Sequence, residues 1–537
     1  MTSRCLKEER KGPAWASGSS APGPTTRAAA ARAAGELALR VLAPPSPPQL
    51  TILGHLDLDD KMMLGSTCTG LRLASRAWFS ELTVTLWRTS QVASLAAWLE
   101  WHQGLLHLRV AGSYEASAAE WNDGLTALPP ALVTSLGMPS RLGLPAAVST
   151  LTALTRLEIV PRCFGEIGTD DDDYFPKDIS VHHLQPLTRL RQLILVTGDL
   201  SGKAEALLSV PALSGLQALQ LRDCSLSEVP RSLSALTQLT ALNLNNNCVS
   251  ATAPLAALQR LQSLDFSACR FRAIPRALSA LTALTRLDLT GNGKLADGWQ
   301  HLLPLVQLQY LILCDCDITT VPGHLAALTA LTRLNLSRNT QLESGWQHLL
   351  PLTQLQDMEL SSCSLAAVPK QLSALTALSS LDLINNGRLA DGWQHLLPLT
   401  QLRHLRLQRC GLTAVPVQLA ALTALARLDL SDNNIESGWP HLLPLNQLCL
   451  LDLSSCDLVA VPRQLSALRA VTCLNLSFNY HLSGGWQHLL YSTKLQDLDL
   501  GTCGLQAVPK QLLALTALTR LNLHCSRYTM ANSTWRS

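Results

Sequence analysis

Five histidines, His301, His348, His395, His441 and His488, recur along this chain, each closing a Gly-Trp-Gln-His or Gly-Trp-Pro-His motif. Imidazole is a common metal ligand and general base, so a repeated set invites a metal-binding or catalytic reading. Seven cysteines, Cys224, Cys269, Cys316, Cys363, Cys410, Cys456 and Cys503, recur at a similar interval. Spacing decides against both chemistries. The motif returns every 47 residues, once every 46, and if each interval holds two turns of a coil, successive members stand about 9 to 10 Å apart at a strand spacing near 4.8 Å. No single metal gathers ligands so far apart, and a disulfide needs Cα atoms within about 7 Å. The expected state is therefore reduced, inward thiols, with the histidines as repeat residues of the outer segment.

Other candidates are weaker still. Asp170 to Asp173 place four carboxylates in a row, but the alternating ligands and glycine of a calcium loop are missing, and a solvated acidic loop is the simpler reading. Among the 15 cysteines no CxxC occurs, and Cys314 with Cys316 is the one close pair. There is no phosphate-binding glycine loop, no HExxH and no nucleophile elbow. Neither enzymatic activity, nor a cofactor, nor a metal is expected. Trp299, Trp346, Trp393, Trp439 and Trp486 align with Pro322, Pro369 and their kin in alternate units. Each ring is expected to pack on a neighbouring turn, the alternative being an exposed aromatic stripe that binds a partner.

The elements that carry these residues are set by the period. Each unit splits into two segments reading LxxLxLxx(N/C)xL, such as Leu284, Leu287, Leu289, Asn292 and then Leu308, Leu311, Leu313, Cys316. The repeat is thus 23 or 24 residues, inside the leucine-rich range. Rungs open at Leu284, Leu308, Leu331, Leu355, Leu378, Leu402, Leu425, Leu448, Val471, Leu495 and Leu518, with looser versions from Leu154. Alternation sends Leu287 and Leu289 inward and Asp288 outward. Asn292, Asn339, Asn386, Asn433 and Asn479 are expected to bond backbone groups inside the coil, and the thiols to fill the same place as small apolar groups with a weak donor. Stacking makes one core, each buried leucine contributing roughly 1.5 to 3 kcal/mol before entropy.

The fold class that follows is α/β, a leucine-rich-repeat solenoid with a curved parallel sheet on the concave face and short helical or irregular segments on the convex face. The outward strand positions are the candidate binding surface: Arg286, Asp288, Arg333, Glu359, Asp382, His404, Arg406, Arg427, Asp429, Asp452 and Asp499. Acid and base alternate there, so cross-strand neutralisation is expected. Around Arg403, His404, Arg406 and Arg409 one rung turns basic and breaks the pattern.

A net charge of +3 gives no field that proposes nucleic acid or a membrane as partner. No secretory signal or apolar span of about 18 residues is visible, so an intracellular protein is expected, cytoplasmic or nuclear, with a cytoskeletal or axonemal place as the alternative. Residues 1–46 are rich in Ala, Pro, Ser and Arg and read as disordered, an organelle transit peptide being the competing reading. Residues 83–153 read as degenerate first repeats or a cap, 154–526 as the repeats with an acidic insert at 165–185, and 527–537 as a tail. The last rung shows no capping element, which leaves a covering partner, a dimer or a truncated sequence as readings.

Residues 47–82 have helical spacing. Ile52, Leu53, Leu56, Leu58, Asp60, Leu64, Cys68, Leu71, Arg72 and Trp78 fall where an F-box carries such residues, and the segment resembles one. Pro44, Pro45, Pro47 and Pro48 break its first helix, and Met63 and Gly65 replace larger aliphatics. The resemblance implies that Ile52, Leu53, Leu56, Leu58, Leu64, Leu71 and Trp78 dock the adaptor of an SCF-type cullin ubiquitin ligase while the repeat face holds a protein substrate. The alternative is a helical cap on an intracellular scaffold, whose VPxxL segments resemble plant Ras-group-related or axonemal repeat proteins.

Overall fold

The computed structural model describes residues 81–86, 107–112, 118–139, 143–160, 180–196 and 199–524. The F-box-like residues Ile52 to Trp78, the segment 1–46, the Asp170 to Asp173 run and the tail 527–537 lie outside them.

Nineteen strands form one parallel sheet. Strands β1 (Glu81–Leu86), β2 (His107–Gly112) and β3 (Val133–Pro139) start it, each pairing with the next. Helix α1 (Ala118–Thr126) links β2 to β3. Strands β4 (Arg156–Val160), β5 (Gln192–Val196) and β6 (Ala218–Arg222) follow, with the short helix α2 (Ala204–Leu208) between the last two. From β7 (Ala241–Asn243) to β19 (Arg520–Asn522) every strand is three residues long and lies one rung beyond its predecessor. Register never slips in this stretch: Leu287, Leu311 and Leu334 are partners in a row. The inward leucines make that register the only one that buries a whole face.

From Arg276 onward two kinds of 3-10 turn form the convex wall. One follows proline, as in Gly323–Ala327 after Pro322 at φ −65, where the ring presets the entry and removes a donor the turn cannot use. The other follows a glycine in the left-handed region, as in Trp299–Leu302 after Gly298 at φ +80. A Cβ on Gly298 would lie 2.5 Å from the Ile274 carbonyl oxygen of the rung beneath. The Gly-Trp-Gln-His glycine is thus required twice, by its dihedral and by its flush seat on the neighbouring backbone.

Between sheet and wall runs one continuous core of leucines from Leu125 to Leu515, joined by the seven ladder cysteines. Trp299, Trp346, Trp393 and Trp486 are buried in it, and Trp439 is partly buried against it.

Candidate functional site

The inner polar ladder sets the face above it. Asn339 is fully buried, and its Oδ1 accepts the backbone N–H of Cys316 at 3.1 Å and of Ile318 at 3.0 Å. Its Nδ2 donates to the carbonyls of Leu313 at 2.9 Å and Leu336 at 2.7 Å. One carboxamide thus satisfies four backbone groups on two rungs. Asn247, Asn292, Asn386, Asn433 and Asn479 repeat the arrangement. The thiols link the rungs in the other step: Cys316 donates to the Leu289 carbonyl at 3.1 Å and Cys363 to that of Leu336 at 3.2 Å. None of the seven ladder cysteines is in a disulfide, and all are buried. Burial pushes the thiols of Cys269, Cys316, Cys363, Cys410 and Cys456 up to about 12 and that of Cys503 up to about 11, as expected when a charged form would be stripped of water.

Outward, each strand presents its first and third residues. The third-residue column is Asp265, Asp288, Ile312, Asn335, Glu359, Asp382, Arg406, Asp429, Asp452, Asn475, Asp499 and Asn522. Most of its acids and amides have a structural duty. Asp288 accepts the Thr290 N–H at 3.0 Å, Asp382 that of Ile384 at 2.9 Å and Asp499 that of Gly501 at 2.8 Å. Asp429 takes both the N–H and the hydroxyl of Ser431, at 2.9 and 2.6 Å, and Asp452 does the same with Ser454. These are Asx turns that end the strand. Cross-strand pairing with bases is what the sequence leads one to expect of this column; the Asp-x-Ser spacing is the signal that one oxygen is already engaged by the strand's own turn. Burial raises the carboxyl pKa of Asp288 and Asp429, and burial followed by Asp357 and Asp382 raises that of Glu359.

Cross-strand pairing occurs at particular sites. Arg333 meets Asp357 at 3.7 Å, Arg406 meets Asp382 at 3.2 Å, and Arg409 meets Asp432 at 3.3 Å. Tyr310 lies between two guanidinium groups, Arg333 at 5.4 Å and Arg286 at 6.0 Å from its ring centre, a range in which the ring face attracts cations. At β14 (His404–Arg406) and β15 (Arg427–Asp429) the balance changes. Register sets His404 beside Arg427. Both are exposed, as is Arg403, and among the described residues neither Arg403 nor Arg427 forms an ion pair. Burial and then the cations Arg427 and Arg406 lower the His404 pKa below 6.5. The unneutralised charge is thus carried by arginines.

The repeat histidines stay apart. His441 bonds the Val415 carbonyl through Nδ1 at 2.8 Å, and His348 lies 3.2 Å from its neighbour Gln347. Among the described residues no group of three His, Cys, Asp or Glu is placed to hold a metal ion, and no helix is long and apolar enough to cross a membrane.

No protein-family model matches the chain, and no curated protein matches it. Among solved structures it is similar to a leucine-rich-repeat protein of Leptospira interrogans, with 21% identity and a TM-score of 0.53 over 75% of this chain and 92% of that one. It is also similar to the chain in a TLR13–ssRNA13 complex, with 19% identity and a TM-score of 0.59 over 81% of this chain and 74% of that one. At such identities the likeness establishes a common fold, the leucine-rich-repeat solenoid.

Proposed function

We propose that this leucine-rich-repeat solenoid is a non-enzymatic recognition module that holds a protein partner on its concave sheet, with Arg403, His404 and Arg427 as the centre of the contact. One observation carries this reading. Across five copies of the double repeat the exposed convex positions that follow the Asn-bearing rungs barely change, with Leu303, Leu350, Leu397, Leu443 and Leu490 identical and Gln300, Gln347, Gln394 and Gln487 identical, whereas after the prolines of the Cys-bearing rungs Gly323, Lys370, Val417, Arg463 and Lys510 vary. The concave positions of the Cys-bearing rungs change almost every time. The first strand residue runs Tyr310, Asp357, His404, Leu450, Asp497, and the third Ile312, Glu359, Arg406, Asp452, Asp499. On the concave side this variation reverses charge, from Asp357 and Glu359 to His404 and Arg406 and back to Asp497 and Asp499, and an outward strand face whose charge changes from one Cys-bearing rung to the next suits recognition of a partner.

The unpaired guanidinium groups suit carboxylates of a partner, which they take as forked pairs. A protein fits better than a nucleic acid because the surrounding column, with Asp288, Asp382, Asp429, Asp452 and Asp499, would repel phosphates. The F-box resemblance of residues 47–82 supports a further assignment: Ile52, Leu53, Leu56, Leu58, Leu64, Leu71 and Trp78 dock the adaptor subunit of a cullin ubiquitin ligase, and the concave face presents the substrate. Transfer chemistry then belongs to other subunits, and this chain supplies proximity. The scaffold reading keeps the concave partner and drops the ligase.

Co-purification of the intact chain with the purified adaptor distinguishes them. Capture by the wild type and its loss in Leu64→Glu/Leu71→Glu supports the ligase role. No capture beside a positive-control F-box protein leaves the scaffold.

A further inference from the structure

The turns that leave each strand toward the convex wall form one edge of the solenoid, and its charge changes along its length. The N-terminal part mixes Arg270, Arg272, Lys294, Arg338, Arg388 and Arg409 with Asp297, Asp315, Asp317, Glu343 and Asp391. Beyond Arg409 the same turns, residues 432–438, 455–460, 478–484 and 502–507, hold no lysine or arginine, while Glu436 and Asp457 stand there together with Asp432, which Arg409 pairs.

Within this acidic stretch three apolar side chains face water: Phe478 at 48% exposure, Tyr480 at 61% and Val459 at 64%. Asn479, between the two aromatics, accepts the N–H groups of Cys456 at 3.0 Å and Leu458 at 2.9 Å, and the Ser483 N–H donates to the Val459 carbonyl at 2.9 Å. The turn bearing Asp457 and Val459 is therefore stacked directly on the turn bearing Phe478 and Tyr480.

The fold does not ask for these residues. At the place of Phe478 other copies carry Gly291, Arg338, Asn385 and Asp432, and at that of Tyr480 they carry Gly293, Thr340, Gly387 and Asn434. Phe478 sits at φ +58, the left-handed region, where a bulky side chain is an outlier and a small polar one is tolerated. Its N–H donates to the Gly501 carbonyl at 2.8 Å, so the ladder holds it there. Strain kept at an exposed site where easier residues serve elsewhere points to a task outside folding.

We propose that Phe478, Tyr480 and Val459 form a docking patch for a cationic segment of a partner protein, one that sets a lysine or arginine beside a large apolar side chain. The aromatic faces accept both apolar groups and cations. Asp457 is exposed and, among the described residues, has no ion pair, so it answers the positive charge. A nucleic acid finds no lysine or arginine here for its phosphates. This edge is separate from the concave arginines and stands without that reading.

The test pans a random dodecapeptide library against the full chain with counter-selection on the Phe478→Asn/Tyr480→Ala variant. Retained peptides should pair Lys or Arg with a large apolar residue and bind the variant at least about tenfold more weakly. They should bind Arg403→Glu as well as wild type, whereas failure of the concave reading would leave this result untouched. Phe478→Asn alone should raise the melting temperature, because Asn tolerates the left-handed region. No enrichment of variant-sensitive peptides, enrichment of acidic peptides, tighter binding of single-stranded poly(U) through these residues, or a lower melting temperature for Phe478→Asn would each overturn the proposal.

Discussion

The carboxamide oxygen of Asn339 accepts the N–H of Cys316 across the gap between two rungs at 3.1 Å, while the Cys316 thiol reaches back another rung to the Leu289 carbonyl at 3.1 Å. Asparagine and cysteine occupy equivalent corners but do unequal work. The amide satisfies backbone groups on two rungs; the thiol adds one weak bond.

Replacing Asn339 by Ala should therefore cost far more than Cys316→Ala. The first strands the buried N–H groups of Cys316 and Ile318 and the Leu313 carbonyl, whereas the Leu336 carbonyl keeps the Cys363 thiol. At about 1 to 3 kcal/mol for each orphaned buried group, partly relaxed, a loss of roughly 3 to 5 kcal/mol is expected. Cys316→Ala should cost about 1 kcal/mol. Urea unfolding of the two variants gives the comparison, and equal losses would refute the division of labour.

Neighbouring glycines make a second contrast. Gly485 has φ +80 and a Cβ there would lie 2.4 Å from the Val461 carbonyl oxygen, while at Gly484 the nearest atom would be 4.0 Å away. Gly485→Ala should destabilise by about 3 kcal/mol or more through dihedral penalty and backbone displacement together. Gly484→Ala should be neutral or stabilising by about 0.5 kcal/mol. Thermal melts of both variants decide it.

Alkaline pH should unfold the repeats. A buried thiol such as Cys316 has a pKa raised from 9.0 to about 12, so above the lower value the unfolded chain releases a proton that the folded chain keeps. Stability is then full below pH 9 and falls as pH rises toward 12, by up to about 4 kcal/mol per thiol at the upper end. Melting temperatures from pH 7 to 11 should drop with a slope that Cys316→Ala/Cys363→Ala reduces. A slope unchanged by those substitutions would assign the effect elsewhere. In the native state a thiol reagent at pH 8 should modify the exposed Cys248 and Cys449 well before the ladder.

Arg403→Glu/Arg427→Glu should abolish partner capture on the concave face and leave the melting temperature within about 1 °C, since both side chains are exposed. The control Arg406→Ala removes the 3.2 Å partner of Asp382, a pair with one exposed member worth about 1 kcal/mol or less. Quantitative co-purification with the identified partner, beside circular dichroism melts, separates binding from folding. Capture that survives the double reversal would move the contact away from this rung.

Much of this molecule was legible from spacing alone. A leucine every second residue in a three-residue strand fixes which side is buried, and a constant interval between strands fixes a parallel stack, because no single turn can hide its own apolar face. The inward place of Asn339 and Cys316 and the exposure of Arg403 follow from those two regularities, whereas spacing left the Trp346 ring open between a seat on the neighbouring turn and an exposed stripe, and stacking buries it. What the sequence could not disclose depends on atoms one rung away. That Gly485 must lack a Cβ because Val461 lies beneath it, and that Phe478 is held left-handed by Gly501, are relations between backbones one rung apart. Only stacking brings those atoms within hydrogen-bond distance, so only the tertiary structure could decide which polar groups were spent on the fold and which were left for a partner.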